Sequence, residues 1–176
     1  NLIELFDSSI GAGTVLAPLG GSKLLNPSQV MGARIPVKNG VSKTVSIISY
    51  GYDPRLAEAS QYLAGYYAVV ESVAKLVAVC ANYQNIKLSF QEFYEKMKEG
   101  ENFSKPIKSL LGAFETSHFL KIAPISGKDS MSGTFHDINV PPSLISFAIT
   151  TVDIENIISN DLKGKGRPVS YTHLTL

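Results

Sequence analysis

Apolar and polar positions along the chain follow two periods, and the shorter one predicts strands. The segment 43–50 (KTVSIISY) is rich in β-branched residues and ends at a Gly-Tyr-Asp-Pro turn, which is typical of a strand. The segment 144–152 is apolar at nearly every position, which predicts a central, covered strand. Glycine or proline brackets shorter pieces that we also predict as extended, at 14–18, 30–37, 86–88 and 123–125.

The longer period predicts helices. Within 61–81, apolar residues recur at three- and four-residue spacing on nearly all sides, which predicts a helix packed between layers. Ser89 followed by Glu92 is a capping-box pattern, and it predicts a helix over 89–98. Ser104, with Pro106 behind it, predicts the start of another helix, whose apolar stripe comprises Ile107, Leu110, Leu111, Phe114 and Phe119.

Alternating strands and helices predict an α/β (α+β) fold, a mixed sheet with helices covering at least one face. At 176 residues and 44% apolar composition, one domain with its own core is expected. The net charge of +1 gives no electrostatic case for nucleic acid or an acidic membrane surface, and Glu71 and Lys75 argue against a membrane span in the apolar helix. Cys80, the single cysteine, fits a core position and a reducing, cytoplasmic setting.

The segment 127–133 (GKDSMSG) follows a predicted strand and is the main candidate for chemistry. Free backbone N–H groups here can cradle phosphate oxygens, Lys128 can neutralise them and Asp129 can hold magnesium. The P-loop pattern is absent, and an ordinary polar turn explains the same residues. Composition alone leaves both interpretations open.

Other polar residues also have two interpretations. Glu71 and Lys75 are a favourable i, i+4 pair, or else a carboxylate and a cation near a bound metal or phosphate. Gln91 and Glu92 stand at the predicted helix start, where an anion can bind, although capping explains Glu92. His118 and His136 fit structural or solvated roles, and no catalytic triad is apparent.

Several runs together resemble phosphoribosylformylglycinamidine synthase, the glutamine-dependent amidotransferase of purine biosynthesis. The resemblance covers roughly residues 5–165. GKDSMS followed by PPSLISFA is its most specific part, and the other runs are FDSSIGAGTVLAPLGG, NPSQVMGARIPV, SYGYDP, YYAVVESVAKLVA, IKLSFQEFYEKM and KPIKSLLGAF.

The resemblance implies a fold like the amino-terminal domain of aminoimidazole ribonucleotide synthetase, whose sheet pairs with a sister domain. It implies a carbon–nitrogen ligase that converts formylglycinamide ribonucleotide to the amidine with ATP, magnesium and glutamine. The partners implied are the sister domain and a glutaminase domain of the same full-length chain. This segment alone is expected to be inactive, because the family's catalytic histidine and glutaminase residues lie elsewhere.

The resemblance also implies roles for particular residues. Ser130 matches a substrate-binding serine, and Gly127, Lys128 and Gln91 are the implied nucleotide-binding residues. The implied metal ligands are Asp129 and Glu71. Lys75 replaces an asparagine of the family's auxiliary magnesium site, and we expect its ammonium group to stand where cations would bind.

These patterns predict a domain division with one main unit. We expect 1–26 to be the leading edge of the domain or the end of a preceding segment, 27–152 the synthetase-like domain, 153–167 the start of a following domain, and 168–176 a non-native tail. The alternatives are a mainly structural half without a direct ligand role, or another member of the same ATP-binding superfamily.

Overall fold

The computed structural model describes residues 13–98, 101–161 and 164–166. The predicted tail 168–176 and most of the leading edge, 1–12, lie outside the described residues. The helices are α1 (Pro54–Ala59), α2 (Gln61–Ala78) and α3 (Ser104–Leu120), with single 3₁₀ turns at Tyr83–Asn85, Glu101–Phe103 and Ile154–Asn156. The strands are β1 (Thr14–Leu16), β2 (Leu19–Gly20), β3 (Asn26–Pro27), β4 (Met31–Arg34), β5 (Thr44–Gly51), β6 (Lys87–Phe93), β7 (Pro124–Ser130), β8 (Thr134–Phe135), β9 (Ile138–Asn139) and β10 (Ser143–Asp153).

Six strands form one mixed sheet in the order β1-β4-β5-β10-β6-β7. All neighbours are antiparallel except β6 and β7, which run parallel because α3 connects them as a crossover. The long strand β10 is central, as its apolar run predicts. The predicted fold class, a mixed sheet covered by helices on one face, is confirmed.

Side-chain alternation gives the sheet two different faces. Val45, Ile47, Leu144 and Ala148 are buried against α2, and they form the core with other small and branched residues. The residues between them point to the opposite face, which no helix of the described residues covers. We call it the uncovered face; its central apolar residues are Ile48, Tyr50, Ile145, Phe147 and Ile149.

Glycines bring the helices unusually close to their neighbours. A Cβ added at Gly51 would stand 2.1 Å from the Ala68 carbonyl oxygen, so α2 rests directly on β5. A Cβ at Gly65 would stand 2.0 Å from the Ser109 carbonyl oxygen of α3. The helices therefore bury a face of small residues rather than the predicted stripe, and Ile107, Leu110, Leu111, Phe114 and Phe119 are all exposed.

Three local predictions are wrong. The segment predicted as a helix over 89–98 is strand β6 followed by irregular chain, because hydrogen bonding to strands on both sides outweighs the capping-box pattern. Helix α3 does begin at Ser104, but Ser104 is its first helical residue and not the predicted cap, because the N-cap is Phe103, without a side-chain capping bond. Cys80 is exposed at a positive φ of 73° just after α2, not in the core.

Residues before 27 and after 152 pack on the same unit. Strand β1 pairs with β4, so Thr14–Leu16 is part of the six-stranded sheet. Beyond β10, Ile154 packs on the core and its backbone N–H donates to the Lys43 carbonyl oxygen at 2.9 Å. Asn160 donates to the Pro27 carbonyl oxygen at 2.8 Å.

Candidate functional site

The predicted glycine loop is the end of edge strand β7. Its residues 127–130 lie extended beside β6 in parallel register, with Gln91 opposite Lys128 and Phe93 opposite Ser130. The expectation of a loop was therefore wrong at these four positions, and the chain turns only after Ser130. The segment does not project away from the molecule, since it borders both the uncovered face and a pocket on the helix side.

Strand alternation separates the candidate residues between the two faces of the sheet. Lys128 and Ser130 share the uncovered face with Gln91, because cross-strand partners point the same way. Asp129 points to the helix side with its partner Glu92. The structure thus brings together Gln91, Lys128 and Ser130, and it places Asp129 apart from them.

The uncovered face has an apolar centre and a polar edge. At its centre the Tyr50 and Phe147 rings lie 6.5 Å apart between their centroids. Toward β7 the surface becomes polar, and the Ser126 hydroxyl donates to the Ser89 hydroxyl at 2.7 Å. A phosphate at this edge would meet the exposed Lys128 ammonium, while an apolar group or partner surface would lie over the centre.

Gly127 allows the edge strand to approach its neighbour closely. A Cβ added there would stand 3.1 Å from the Phe90 carbonyl oxygen, which is tighter than nearly all real contacts. The glycine therefore holds β7 close to β6 beside the candidate residues.

Glu71 and Lys75 are fully engaged with each other and with the end of β5. The Lys75 ammonium lies 2.7 Å from a Glu71 carboxylate oxygen, donates to the Tyr50 carbonyl oxygen at 2.8 Å, and sits 4.7 Å from the Tyr50 ring centroid. The other Glu71 oxygen accepts from the Tyr52 backbone N–H at 3.0 Å. The positive charge beside the Glu71 carboxylate is therefore the Lys75 ammonium group in this structure.

On the helix side, β6, β7 and α3 enclose a pocket of about 260 Å³. Glu92 lines it and is only 5% exposed, and the exposed Asp129 lies beside it. Burial, followed by the negative charge of Asp129, raises the pKa of Glu92 to about 7. Sequence reasoning missed this pair because it assigned Glu92 to a helix cap; the alternation of Leu88, Phe90 and Glu92 was the available signal.

A second, larger pocket of about 740 Å³ lies beside it under the carboxyl-terminal half of α3. Its wall is mostly apolar and includes Phe90, Leu110 and Phe114. The His118 ring stacks on Phe114 with 5.7 Å between centroids, as expected for a structural histidine. His136 packs edge-on against Phe135, away from both pockets.

Two observations limit the chemistry available. Among the described residues, no group of three or more histidine, cysteine or acidic side chains is arranged to hold a metal ion. In the same part of the chain, no helix is long and apolar enough to cross a membrane. The geometry described above gives two candidate functions: binding of an anion beside Lys128 on the uncovered face, and binding of a cation beside Glu92 and Asp129 in the helix-side pocket.

No protein-family model and no curated protein matches this chain. Solved structures do match it. PurLQS from Thermotoga maritima matches with a TM-score of 0.65 at 20% identity, over 89% of this chain and 24% of that one. PurL from the same organism matches as its AMPPCP complex (TM-score 0.63, 20% identity, 89% of this chain and 24% of that one) and as its FGAR complex (0.60, 19%, 88% and 23%).

A structure of phosphoribosylformylglycinamidine synthase II from T. maritima matches as well, with a TM-score of 0.55 at 19% identity, over 72% of this chain and 20% of that one. The chain spans about a quarter of the length of the first of these structures. At this level of identity the likeness establishes a shared fold, and it agrees with the family suggested by the sequence runs.

Proposed function

We propose that this chain is an internal domain of an ATP- and glutamine-dependent ligase of the phosphoribosylformylglycinamidine synthase type. One observation carries the proposal: Gln91, Lys128 and Ser130 lie side by side at the polar edge of an uncovered apolar sheet face. The PurL structures that share the fold were solved with AMPPCP and with FGAR, which supports a nucleotide and a ribonucleotide as ligands.

The proposed residues act by positioning and charge. Lys128 neutralises phosphate oxygens, Ser130 hydrogen-bonds the ribonucleotide, and the Gln91 amide contacts the nucleotide. Gly127 keeps the strand backbone close to this edge. In the proposed reaction ATP phosphorylates the amide oxygen of the substrate, and ammonia from glutamine then displaces phosphate. Groups outside this chain supply the remaining chemistry, so the chain alone is expected to be inactive.

Magnesium enters the proposal only through the resemblance, at Asp129 and Glu71. The contacts of Glu71 do not favour a metal ion there, because Lys75 and the Tyr52 N–H already engage both carboxylate oxygens. Asp129 points away from Lys128 and Ser130. No step proposed here therefore depends on a magnesium ion held by these residues.

The uncovered face is the proposed pairing surface for the sister domain of the same full-length chain. Its central residues Ile48, Tyr50 and Phe147 form an apolar surface that a second sheet can bury. A cleft bounded by the polar edge and the partner sheet would then exclude water around the ligand phosphates. We propose a glutaminase domain as the other partner and the cytoplasm as the location.

The test is steady-state kinetics of the full-length enzyme that contains this chain. Lys128→Ala and Ser130→Ala should each lower kcat/KM for ATP or for the ribonucleotide about 10- to 100-fold, because a hydrogen bond to a charged group contributes about 1.5–3 kcal/mol. The matched control is Lys87→Ala, which removes an exposed lysine from the other end of β6 and should have little effect.

Two results would favour the alternatives. Wild-type kinetics in the Lys128→Ala, Ser130→Ala double variant would favour a mainly structural half. Turnover of a different phosphoryl acceptor, with no activity on the formylglycinamide ribonucleotide, would favour another member of the superfamily.

A further inference from the structure

The helix-side pocket lies on the opposite face of the sheet from the ligand edge of the proposed function, and Gly127 and Lys128 border both. It lies between α3 and the β6–β7 edge, and the side chains of Lys128 and Ser130 point to the other face of the sheet. What binds in it does not depend on the ligase assignment.

Glu92 is the unusual feature of this pocket. It lines the cavity at 5% exposure, and its carboxyl group has no hydrogen-bond partner among the described residues. Such a carboxylate is costly to bury unless a positive charge or hydrogen-bond donors compensate it.

The neighbouring groups do not supply that compensation. The Asp129 carboxylate adds a second negative charge. The Tyr94 hydroxyl, another neighbour, is buried; the Ser109 hydroxyl lies near it, but no hydrogen bond of acceptable distance and angle connects it to a described residue. The Lys105 ammonium at the start of α3 is paired with Glu95. Lys128 also borders the cavity, but by strand alternation its side chain extends on the opposite face of the sheet. Within the described part of the chain, no ion pair joins a cation to either carboxylate.

The walls of the pocket decide between kinds of cation. Phe90, Leu110 and Met131 give it apolar sides, and an aromatic face attracts ammonium groups. Its volume of about 260 Å³ is several times the ~30 Å³ share of one water, so it has room for an organic group. A divalent metal ion prefers six or more oxygen ligands, and the described residues offer two carboxylates here.

We propose that this pocket binds a small organic cation, with an alkylammonium head held between Glu92 and Asp129 and its hydrocarbon part against Phe90, Leu110 and Met131.

The experiment is calorimetric titration of the full-length protein with butylammonium and putrescine. Both probes should bind at pH 7.5 with dissociation constants in the millimolar range or below. Asp129→Asn and Glu92→Gln should each weaken binding at least tenfold. The matched control is Glu115→Gln on the exposed side of α3, which should bind as wild type does.

Three outcomes would overturn the proposal. They are no binding of either ammonium probe in the millimolar range, binding that survives both carboxamide variants, and binding of Mn²⁺ with no ammonium binding. Asp129 is exposed on an edge strand, so its variant remains informative if Glu92→Gln fails to fold. Ser130 does not line the pocket, so Ser130→Ala should leave ammonium binding intact, which separates this test from that of the ligase proposal.

Discussion

Replacing Gly112 by alanine tests the contact between α2 and α3. An added Cβ at this position would stand 1.9 Å from the Tyr62 carbonyl oxygen, whereas real Cβ contacts essentially never fall below 3.0 Å. The obstacle is backbone, so no side-chain rotation relieves it, and the two helices must separate by about 1 Å. Overpacking of this kind costs about 1–3 kcal/mol, and alanine recovers about 1 kcal/mol of helix propensity.

Both sides of the contact are rigid backbone, so we take the upper end of the overpacking range, about 3 kcal/mol, and expect a net loss of about 2 kcal/mol. For a chain of this size such a loss lowers Tm by roughly 4–8 °C. Urea unfolding followed by circular dichroism measures it directly. The matched control is Gly20→Ala, where the nearest atoms lie 3.6 Å from the added Cβ and little change is expected. A Gly112→Ala protein about 1 kcal/mol more stable than wild type would refute the close helix crossing, because that gain is the one expected from helix propensity without any steric cost.

Three further predictions concern polar groups in the same fold. Lys75→Met should lower the free energy of unfolding in urea by about 1–2 kcal/mol, because it leaves Glu71 and the Tyr50 carbonyl oxygen without their cation. The control Lys43→Met, at the exposed pair with Glu155, should cost less than about 0.5 kcal/mol. Equal losses in the two variants would contradict this prediction. The pKa of Glu92 is raised from 4.5 to about 7, so between these pH values the folded protein keeps a proton that the unfolded chain has lost. The free energy of unfolding should therefore fall by up to about 3 kcal/mol as pH rises from about 4.5 to above 7. Glu92→Gln should remove that slope, and an unchanged slope would assign it to other groups. Tyr94→Phe should change the free energy of unfolding by less than about 0.5 kcal/mol or raise it, because the buried hydroxyl makes no well-formed hydrogen bond. A large loss of stability would show that the hydroxyl does make a hydrogen bond.

The sequence was sufficient to predict those strands and helices whose pattern of apolar residues fits one type of secondary structure and no other. Strands β5 and β10 and helix α2 lie where alternation, an apolar run and helical spacing place them. Only the start of strand β6 was predicted, over 86–88. The rest was assigned to a helix because Ser89 and Glu92 satisfy a local capping rule, while the pairing that decides the conformation comes from β7 and β10, far away in sequence. Local rules do not contain that information.

The helix stripes show a different limit. Large apolar residues such as Leu63, Tyr67 and Phe114 were expected to face the core, yet they are exposed. Residues such as Gly65, Ala68 and Gly112 are buried in their place, because backbone contact between helices requires small side chains. A prediction based on hydrophobicity assigns the face with large apolar residues to the core. It therefore could not identify the face of small residues at which the two helices approach most closely.

The candidate site was predictable as a segment but not as a geometry. The residues 127–130 were selected for their chemistry, and they do border both a pocket and the uncovered face. Lys128 and Ser130 lie on one face of the sheet and Asp129 on the other because this segment is a strand. The prediction of a loop could not give that arrangement. The alternation of Leu88, Phe90 and Glu92 could have placed Glu92 on a strand, but its partner Asp129 depends on the pairing of β6 with β7, which the sequence does not show.

The shift of register between β6 and β7 carries a consequence for how this chain can vary. Leu88 lies opposite Pro124 and Ser89 opposite Ser126, so Ile125 is an extra residue in the edge strand. Deleting it would leave Ser126 opposite Ser89 and Lys128 opposite Gln91, so the edge strand would lose the bulge and keep its faces. A one-residue slip of the pairing itself would instead exchange odd and even positions from Gly127 onward. The ammonium of Lys128 would then enter the acidic cavity, and the carboxylate of Asp129 would meet the phosphate edge. The bulge therefore lets this connection change its length by one residue without moving either charged group to the other face.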